Sequence, residues 1–328
     1  MDFFTHALLP YLLASSLGWE KRWVAALVLG GIAPDLDVLF SWAGSMLPAQ
    51  VLLVHRGITH SIFFGALFGL LVSYLATLPR IRGLWNRLND IDLEFSSRSL
   101  GLVWAGVALH LLLDYATTRG VPLFHPWQSM RYSADLFYQI EPAVLAAAIL
   151  MLAGLLRHSL AREQKKNLLI IFLVFLILVG GIRIEGRTAA EEEFAGRNAS
   201  LYPLASLFSW AALEEEGGYY QISGYDLLKG TVSAGSKYPK LRISSSLKEA
   251  EEALVAAEGL SQVKVFRWRS YAVAINASYS GNCSWDIQYY DPLVLAQRNS
   301  SWSLLRPPSS RYGSVKVAVQ DGVARVAE

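Results

Sequence analysis

The stretch that decides the fold of this chain is residues 167–184, NLLIIFLVFLILVGGIRI, in which Arg183 is the one charged residue. A helix that crosses a bilayer needs about 20 predominantly apolar residues, and this stretch comes close to that length. Five other apolar stretches precede it, at 3–18, 23–44, 58–79, 99–116 and 142–156. We therefore predict an α-helical, multi-pass membrane domain over residues 1–184. It would have about six helices, of which the first either crosses or re-enters the membrane.

The composition changes at the end of this stretch. The chain of 328 residues is 53% hydrophobic and 17% charged, with a mean hydropathy of +0.32, whereas a soluble domain is about 25% charged. Residues 1–184 hold 14 Lys/Arg and 11 Asp/Glu, while the shorter remainder holds 15 and 16. This contrast excludes a single water-soluble globule and predicts a second, exported domain over residues 185–328.

The exported domain has the sequence pattern of a small α+β fold. Leu247 to Ala257 reads as an amphipathic helix. Strand-like segments, which alternate or are rich in β-branched and aromatic residues, are 219–228, 231–233, 239–246, 262–279, 285–290 and 314–326. The region contains no histidine. We therefore interpret it as a lid or interaction domain, whose partner the sequence does not indicate.

Two further features of the composition exclude functions. The net charge of +2 leaves no basic face of the density that a nucleic-acid binder needs, so we predict no nucleic-acid partner. Cys283 is the only cysteine, which excludes an intrachain disulfide and a thiolate-based zinc site.

The distribution of basic residues predicts an orientation in the cell membrane. The first, third and fifth connections between the apolar stretches carry ten Lys/Arg, whereas the second and fourth carry only Arg56, Arg119 and Arg131. Basic residues concentrate in cytoplasmic connections. We therefore expect the N-terminus and the C-terminal domain on the outer side.

Polar residues collect at one predicted depth of the membrane half. Five of the six histidines fall at predicted outer helix ends or connections: His6, His55, His60, His110 and His125. Three carboxylates share that depth, those of Asp35, Asp37 and Asp114. A charge inside a membrane segment costs about 2.5–3.5 kcal/mol on insertion scales, so such residues are candidates for function.

The spacing of these residues favours a metal site. His110 and Asp114 are four apart, on one face of a helix. Pro34 interrupts the helical backbone just before Asp35 and Asp37, so that both carboxylates could converge. Imidazoles and carboxylates without thiolates fit Zn²⁺ best, with Mn²⁺ or Fe²⁺ as alternatives. Eight candidate ligands exceed the need of one tetrahedral ion, so we predict either two or more metals or one metal with hydrogen-bonding outer partners.

Other polar residues beside the predicted site suggest hydrolytic chemistry. A metal cluster could activate water and bind an oxyanion, with Asp37 as our candidate base. Arg56 and Arg119 could bind phosphate. The threonines that could bond ligand carboxylates or substrate are Thr59, Thr117 and Thr118. Glu141, before Pro142, could either cap a helix or ligate a metal.

The motifs together resemble a known family. They are His6-Ala7-Leu8-Leu9-Pro10, Gly31-Ile32-Ala33-Pro34-Asp35-Leu36-Asp37, His55-Arg56-Gly57-Ile58-Thr59-His60-Ser61, His110-Leu111-Leu112-Leu113-Asp114 and Thr117-Thr118-Arg119-Gly120. In this order they resemble the YdjM family of LexA-regulated, membrane-bound, predicted metal-dependent hydrolases, over about residues 1–180. The resemblance implies metal-dependent hydrolysis and no particular substrate. It carries over to His6, Asp35, Asp37, His55, His60, His110 and Asp114.

The order of these residues is also similar, as a pattern only, to that of zinc-dependent phospholipase C. This similarity favours phosphoester chemistry, and a membrane site favours a lipid or lipid-linked substrate. Two other hypotheses stay open. One is a non-catalytic membrane anchor with a structural metal site, and the other is a metal transporter, which would need polar groups through the full membrane depth.

Overall fold

A computed structural model of the protein describes residues 1–40, 54–89, 91–244, 247–299 and 313–327. Contacts divide the described chain into two compact units, of which the first ends at Arg183 and the second runs from Ile184 to the C-terminus. The end of the predicted apolar stretch 23–44 and the end of the strand-like segment 239–246 lie outside the described residues.

The first unit is helical. Its helices are α1 (Phe3–Ser16), α2 (Lys21–Ile32), α3 (Ile62–Ala76), α4 (Pro79–Asn89), α5 (Ser97–Tyr115), α6 (Pro142–Arg157) and α7 (Arg162–Glu193), the last of which continues into the second unit. Two short 3-10 segments, Pro34–Phe40 and Ile58–His60, follow α2 and precede α3. Helix α5 packs against α2 and α3, and α1 packs against α2 and α6.

The prediction of about six membrane-crossing helices is wrong. Among the described residues, α7 is the one helix that is long and apolar enough to cross a membrane. A second span exists only if α3 and the residues Pro79–Arg87 are counted together, although they are bent by 73°. Two of the other apolar stretches fail because they form short helices, whereas α5, with 19 residues, is long enough but not apolar enough. The 14 residues of α1 and the 12 of α2 rise about 1.5 Å each, which falls short of a hydrocarbon layer of about 30 Å.

Glycines bring helices α1, α2 and α5 close together. A Cβ on Gly30 of α2 would lie 2.0 Å from the Val103 carbonyl oxygen of α5, and one on Gly31 would lie 2.6 Å from the His6 carbonyl oxygen of α1. On the facing helix, a Cβ on Gly106 would lie 2.2 Å from the Leu27 carbonyl oxygen. Backbones can approach this closely only where no side chain stands between them. The apolar residues of these stretches therefore pack partly on one another, around the polar residues described below.

The second unit contains two sheets. The first is antiparallel in the order β1 (Ala199–Pro203), β2 (Ser209–Glu216), β3 (Tyr219–Asp226), β4 (Thr231–Pro239). The second has the order β5 (Leu241–Ile243), β6 (Ala274–Gly281), β7 (Ser284–Tyr290), β8 (Ser314–Gln320), β9 (Val323–Val326), with β5 parallel to β6 and the other pairs antiparallel.

Helices complete the second unit. They are α8 (Leu247–Glu258), α9 (Ser261–Arg269) and α10 (Pro292–Asn299). Ala253 of α8 and Phe266 of α9 share a core with Ile287 of the second sheet. The predicted strand-like segment 262–279 is therefore wrong in its first half, because α9 occupies it and β6 begins only at Ala274.

Candidate metal centre

Local sequence signals place the predicted ligands at helix ends and in the 3-10 segments. His6 lies in the first turns of α1, whose N-cap Asp2 accepts a hydrogen bond from the Thr5 backbone N–H at 2.9 Å. His60 ends the segment Ile58–His60, just before Ser61 caps α3. His110 and Asp114 lie on the last turns of α5. Asp35 and Asp37 lie in the 3-10 segment that begins at Pro34, where α2 has ended.

Five of these residues converge in one buried cluster, which we call the imidazole–carboxylate cluster: His6, Asp35, His60, His110 and Asp114. The three imidazole side chains are fully buried, Asp114 is 1% exposed and Asp35 is 10% exposed. The rings of His6 and His110 stack with centroids 3.7 Å apart. Residues from four separate segments of the chain thus meet at one place.

The cluster contains polar atoms that are buried and have no hydrogen-bond partner. They are Nδ1 and Nε2 of His6, Nε2 of His60, Nε2 of His110 and Oδ2 of Asp114. A buried polar atom that loses its hydrogen bonds to water costs about 1–3 kcal/mol, so such atoms are rare in folded proteins. Five of them in one cluster therefore require a common explanation.

The spacing of these atoms matches the spacing of ligands around one ion. His60 Nε2 lies 3.4 Å from Asp35 Oδ1 and 3.6 Å from Asp114 Oδ2, and His110 Nε2 lies 3.7 Å from each of these two oxygens. These distances exceed those of N–H···O hydrogen bonds, which are about 2.7–3.2 Å. Zn²⁺ bonds of about 2.0–2.1 Å to N and O place two tetrahedral ligands about 3.3–3.4 Å apart. The donor atoms therefore fit a divalent transition metal.

Asp114 divides its two oxygens between the cluster and a buried arginine. Its Oδ1 accepts a hydrogen bond from Arg56 Nη2 at 2.8 Å and contacts the Met1 amine, while Oδ2 faces His60 and His110. Burial alone would raise the pKa of Asp114, but the positive charge of Arg56 holds the pKa well below its usual value. Asp114 is therefore ionised, as a metal ligand must be.

Arg56 is held by the protein on several sides. It is 3% exposed, adopts a left-handed φ of 60°, and donates from Nη1 to Thr117 Oγ1 at 3.0 Å and to the Thr118 carbonyl oxygen at 3.3 Å. The guanidinium therefore balances the charge of Asp114 at the edge of the cluster. Its predicted contact with a substrate phosphate stays a prediction.

His110 has its proton on the nitrogen that faces away from the cluster, as a metal ligand requires. Burial lowers the pKa of His6 and of His110, because desolvation penalises the imidazolium form. The remaining nitrogen of His110, Nδ1, lies 2.7 Å from the Gly31 carbonyl oxygen. Since a carbonyl can only accept, the proton of neutral His110 lies on Nδ1 and the lone pair on Nε2 faces the cluster.

Asp37 and His55 form the accessible side of the cluster. His55 Nδ1 lies 2.9 Å from Asp37 Oδ1, and its side chain is 30% exposed, compared with 4% for Asp37. His55 Nδ1 also lies 4.0 Å from Asp35 Oδ1. The exposed residues Val38 and Leu39 directly follow Asp37 in the chain. His55 is therefore the most exposed of the predicted ligands around the cluster.

Two predicted site residues, His125 and Arg119, are not members of the imidazole–carboxylate cluster. His125 packs against Phe64, with ring centroids 5.8 Å apart, and belongs to none of the three potential metal-binding groups found among the described residues. Those groups are His6–His110–Asp114, Asp35–His60–His110 and Asp37–His55–His60. Arg119 lies in the turn after α5 with a left-handed φ of 72°, and its carbonyl oxygen accepts from Arg131 Nε at 2.8 Å.

Glu141 lies in a buried ion pair and not among the potential metal ligands. The sequence did not predict this ion pair. Its Oε2 lies 2.7 Å from Arg183 Nη2 of α7, and both side chains are fully buried. A signal existed, because Arg183 is the single charge in the apolar stretch 167–184 and such a charge needs a partner. Thr59 is one of the three threonines that the sequence suggested, and its hydroxyl bridges Asp37 and His60.

The fold and the cluster define a class of protein, a helical protein with a membrane-crossing candidate helix and a buried site suited to a divalent metal. Residues 1–188 match the model of the YdjM inner membrane protein family. The chain therefore belongs to the YdjM family, which supports a membrane location. It has no significant match among curated proteins or among solved structures.

Proposed function

We propose that this protein is a membrane-bound, metal-dependent hydrolase that cleaves phosphoester bonds in a lipid or lipid-linked substrate. The observation that carries this proposal is the group of buried, unpartnered donor atoms on His6, His60, His110 and Asp114, together with Asp35. Zn²⁺ is the metal that this donor set suits best, with Mn²⁺ or Fe²⁺ as alternatives. When bound, such an ion lowers the pKa of a coordinated water to about 7 and polarises a phosphoryl oxygen.

The residues of the chain would supply the rest of the chemistry. The imidazole–carboxylate cluster would hold the ion, and Arg56 would keep Asp114 ionised. Asp37, which borders both the cluster and the half-exposed His55, is our candidate to accept a proton from the attacking water. Arg119 is our candidate for contact with the substrate phosphate.

Exposed apolar residues beside the cluster support a lipid substrate. Val38 and Leu39 are 51% and 64% exposed next to Asp37, and Ile62 is 54% exposed two residues after His60. Apolar side chains exposed on a protein of the membrane are suited to contact with acyl chains. A headgroup phosphate could then reach the cluster while the chains stay in lipid.

The main alternative is a structural metal site in a non-catalytic membrane protein. It is favoured by the near-complete burial of the cluster, since five protein donors would leave a four-coordinate ion no open position for water. Transport is less supported, because the three potential metal-binding groups among the described residues share members and form one cluster rather than a path.

The test is elemental analysis of the detergent-purified protein beside a His110→Ala variant, followed by assay of phospholipid and lipid-linked phosphoester substrates. We expect stoichiometric metal and turnover in the wild type, and loss of both in the variant. Metal with no turnover on any phosphoester would support the structural alternative. A wild-type protein free of stoichiometric transition metal would refute the proposal.

A further inference from the structure

A chain of hydrogen bonds runs from the accessible side of the cluster to His60. Asp37 Oδ1 lies 2.9 Å from His55 Nδ1. The other oxygen, Asp37 Oδ2, accepts a hydrogen bond from the Thr59 hydroxyl at 2.8 Å. The same hydroxyl oxygen lies 3.0 Å from His60 Nδ1. Thr59 therefore stands between Asp37 and His60, which are themselves 3.4 Å apart and too distant for a good direct hydrogen bond.

The direction of these bonds follows from the groups involved. The Thr59 hydroxyl has one proton, and a carboxylate can only accept, so that proton goes to Asp37. The hydroxyl oxygen is then left as an acceptor toward His60 Nδ1. A neutral His60 must consequently carry its proton on Nδ1 and its lone pair on Nε2, the atom that is buried and unpartnered in the cluster.

From this geometry we infer that Thr59 and Asp37 are positioning residues for His60, which is one of the five residues of the imidazole–carboxylate cluster that would hold an ion. The inference rests on the metal site of the proposed function. Asp37 differs from these five residues, because both of its oxygens already have hydrogen-bond partners at 2.8 and 2.9 Å. The five, in contrast, contribute atoms that approach one another at 3.3 to 3.7 Å.

His110 shows the same arrangement with a different acceptor. The Gly31 carbonyl oxygen performs for His110 the role that the Thr59 hydroxyl performs for His60. Acceptors of this kind orient the imidazole ring and increase its basicity, and their loss typically weakens metal binding about 10–100-fold. A backbone carbonyl cannot be removed by substitution, whereas Thr59 can, so the His60 side of the cluster is the one to test.

The experiment measures Zn²⁺ stoichiometry and affinity in the full-length, detergent-purified protein by competition with a chelator. We expect the wild type to bind one Zn²⁺ and the Thr59→Val variant to bind one Zn²⁺ about 10–100-fold more weakly. Thr59→Ser, which keeps the hydroxyl, should retain near wild-type affinity. Thr77→Val is the matched control, because Thr77 caps the opposite end of α3 and its hydroxyl bonds only the nearby Tyr74 carbonyl oxygen.

A second variant tests the same chain of hydrogen bonds without altering Thr59. Asp37→Asn should weaken Zn²⁺ binding without changing the one-to-one stoichiometry. The double variant with Thr59→Val should be scarcely weaker than either single variant, since both act through His60. This route remains open if Thr59→Val does not fold.

Several outcomes would overturn the inference. One is Zn²⁺ affinity within twofold of wild type in both Thr59→Val and Asp37→Asn. Another is a wild type that binds two Zn²⁺ and an Asp37→Asn variant that binds one, since Asp37 would then be a ligand. If the wild type binds no Zn²⁺, Mn²⁺ or Fe²⁺ at all, the proposed function itself fails.

Discussion

The contact between α2 and α5 positions the cluster, and a single methyl group at Gly106 should disturb it. A Cβ on Gly106 would lie 2.2 Å from the Leu27 carbonyl oxygen, 2.6 Å from the Gly31 nitrogen and 2.9 Å from the Gly30 carbonyl carbon. All three atoms are backbone, so no side chain can rotate away. In Gly106→Ala the two helices must separate by roughly 1 Å to reach ordinary contact.

Two opposing contributions determine how Gly106→Ala changes the free energy of unfolding. Overpacking of this kind costs about 1–3 kcal/mol, and contact with three backbone atoms places Gly106→Ala in the upper part of that range. Replacing glycine by alanine inside a helix returns about 1 kcal/mol. The free energy of unfolding should therefore fall by about 1–2 kcal/mol. The same separation stretches the 2.7 Å contact between His110 Nδ1 and the Gly31 carbonyl oxygen, so Zn²⁺ affinity should fall about tenfold or more.

The matched control lies on the same helix. A Cβ on Gly101 of α5 would meet no atom within 4 Å, so Gly101→Ala should keep full Zn²⁺ affinity and gain up to about 1 kcal/mol from helix propensity. Thermal unfolding in detergent and chelator competition would measure both variants. If Gly106→Ala unfolds and binds Zn²⁺ as Gly101→Ala does, the packing of α2 on α5 does not position the site.

Three further predictions concern other parts of the molecule. Glu141→Gln should lower the free energy of unfolding by about 3–5 kcal/mol because the buried Arg183 guanidinium loses the carboxylate charge opposite it, whereas replacing both residues by leucine should recover much of this loss in denaturant titrations. Removal of metal by chelation should lower the midpoint of thermal unfolding of the wild type and leave that of His110→Ala unchanged, as seen by calorimetry. Ile287→Ala, in the core of the second sheet, should lower the free energy of unfolding of the second unit by about 2–5 kcal/mol, while Zn²⁺ affinity stays at the wild-type value.

The residue types of the cluster could be predicted from the sequence, whereas the number of membrane-crossing helices could not. Spacing alone places His110 and Asp114 on one helix face. Pro34 predicts that α2 ends before Asp35, and Asp35 lies in the 3-10 segment that follows. Apolar composition alone does not distinguish residues that face lipid from residues that pack on one another. Gly30 illustrates the difference, because its contact with the Val103 carbonyl oxygen turns part of an apolar stretch into an internal helix contact.

The hydrogen-bond partners behind the ligands could not be predicted from the sequence. Thr59 is adjacent to His60 in the chain, but its bond to Asp37 joins residues 22 positions apart. The acceptor for His110 is a backbone carbonyl 79 positions away, which no residue type reveals. Segment 262–279 shows a related limit, since Phe266 and its neighbours suit either a strand or a short buried helix and tertiary contacts decide between them.

The buried polar residues of the cluster account for the need of an ion. Asp35 and Asp114 bring two carboxylates into the cluster, and both the Arg56 guanidinium and the Met1 amine contact Asp114. Buried charges are tolerated where they are paired or coordinate a metal. A divalent cation would coordinate these carboxylates and satisfy the unpartnered nitrogens of the histidines. Binding of the ion and folding of the first unit should therefore be thermodynamically linked, because an ion at a thousand times its Kd stabilises the folded state by about 4 kcal/mol.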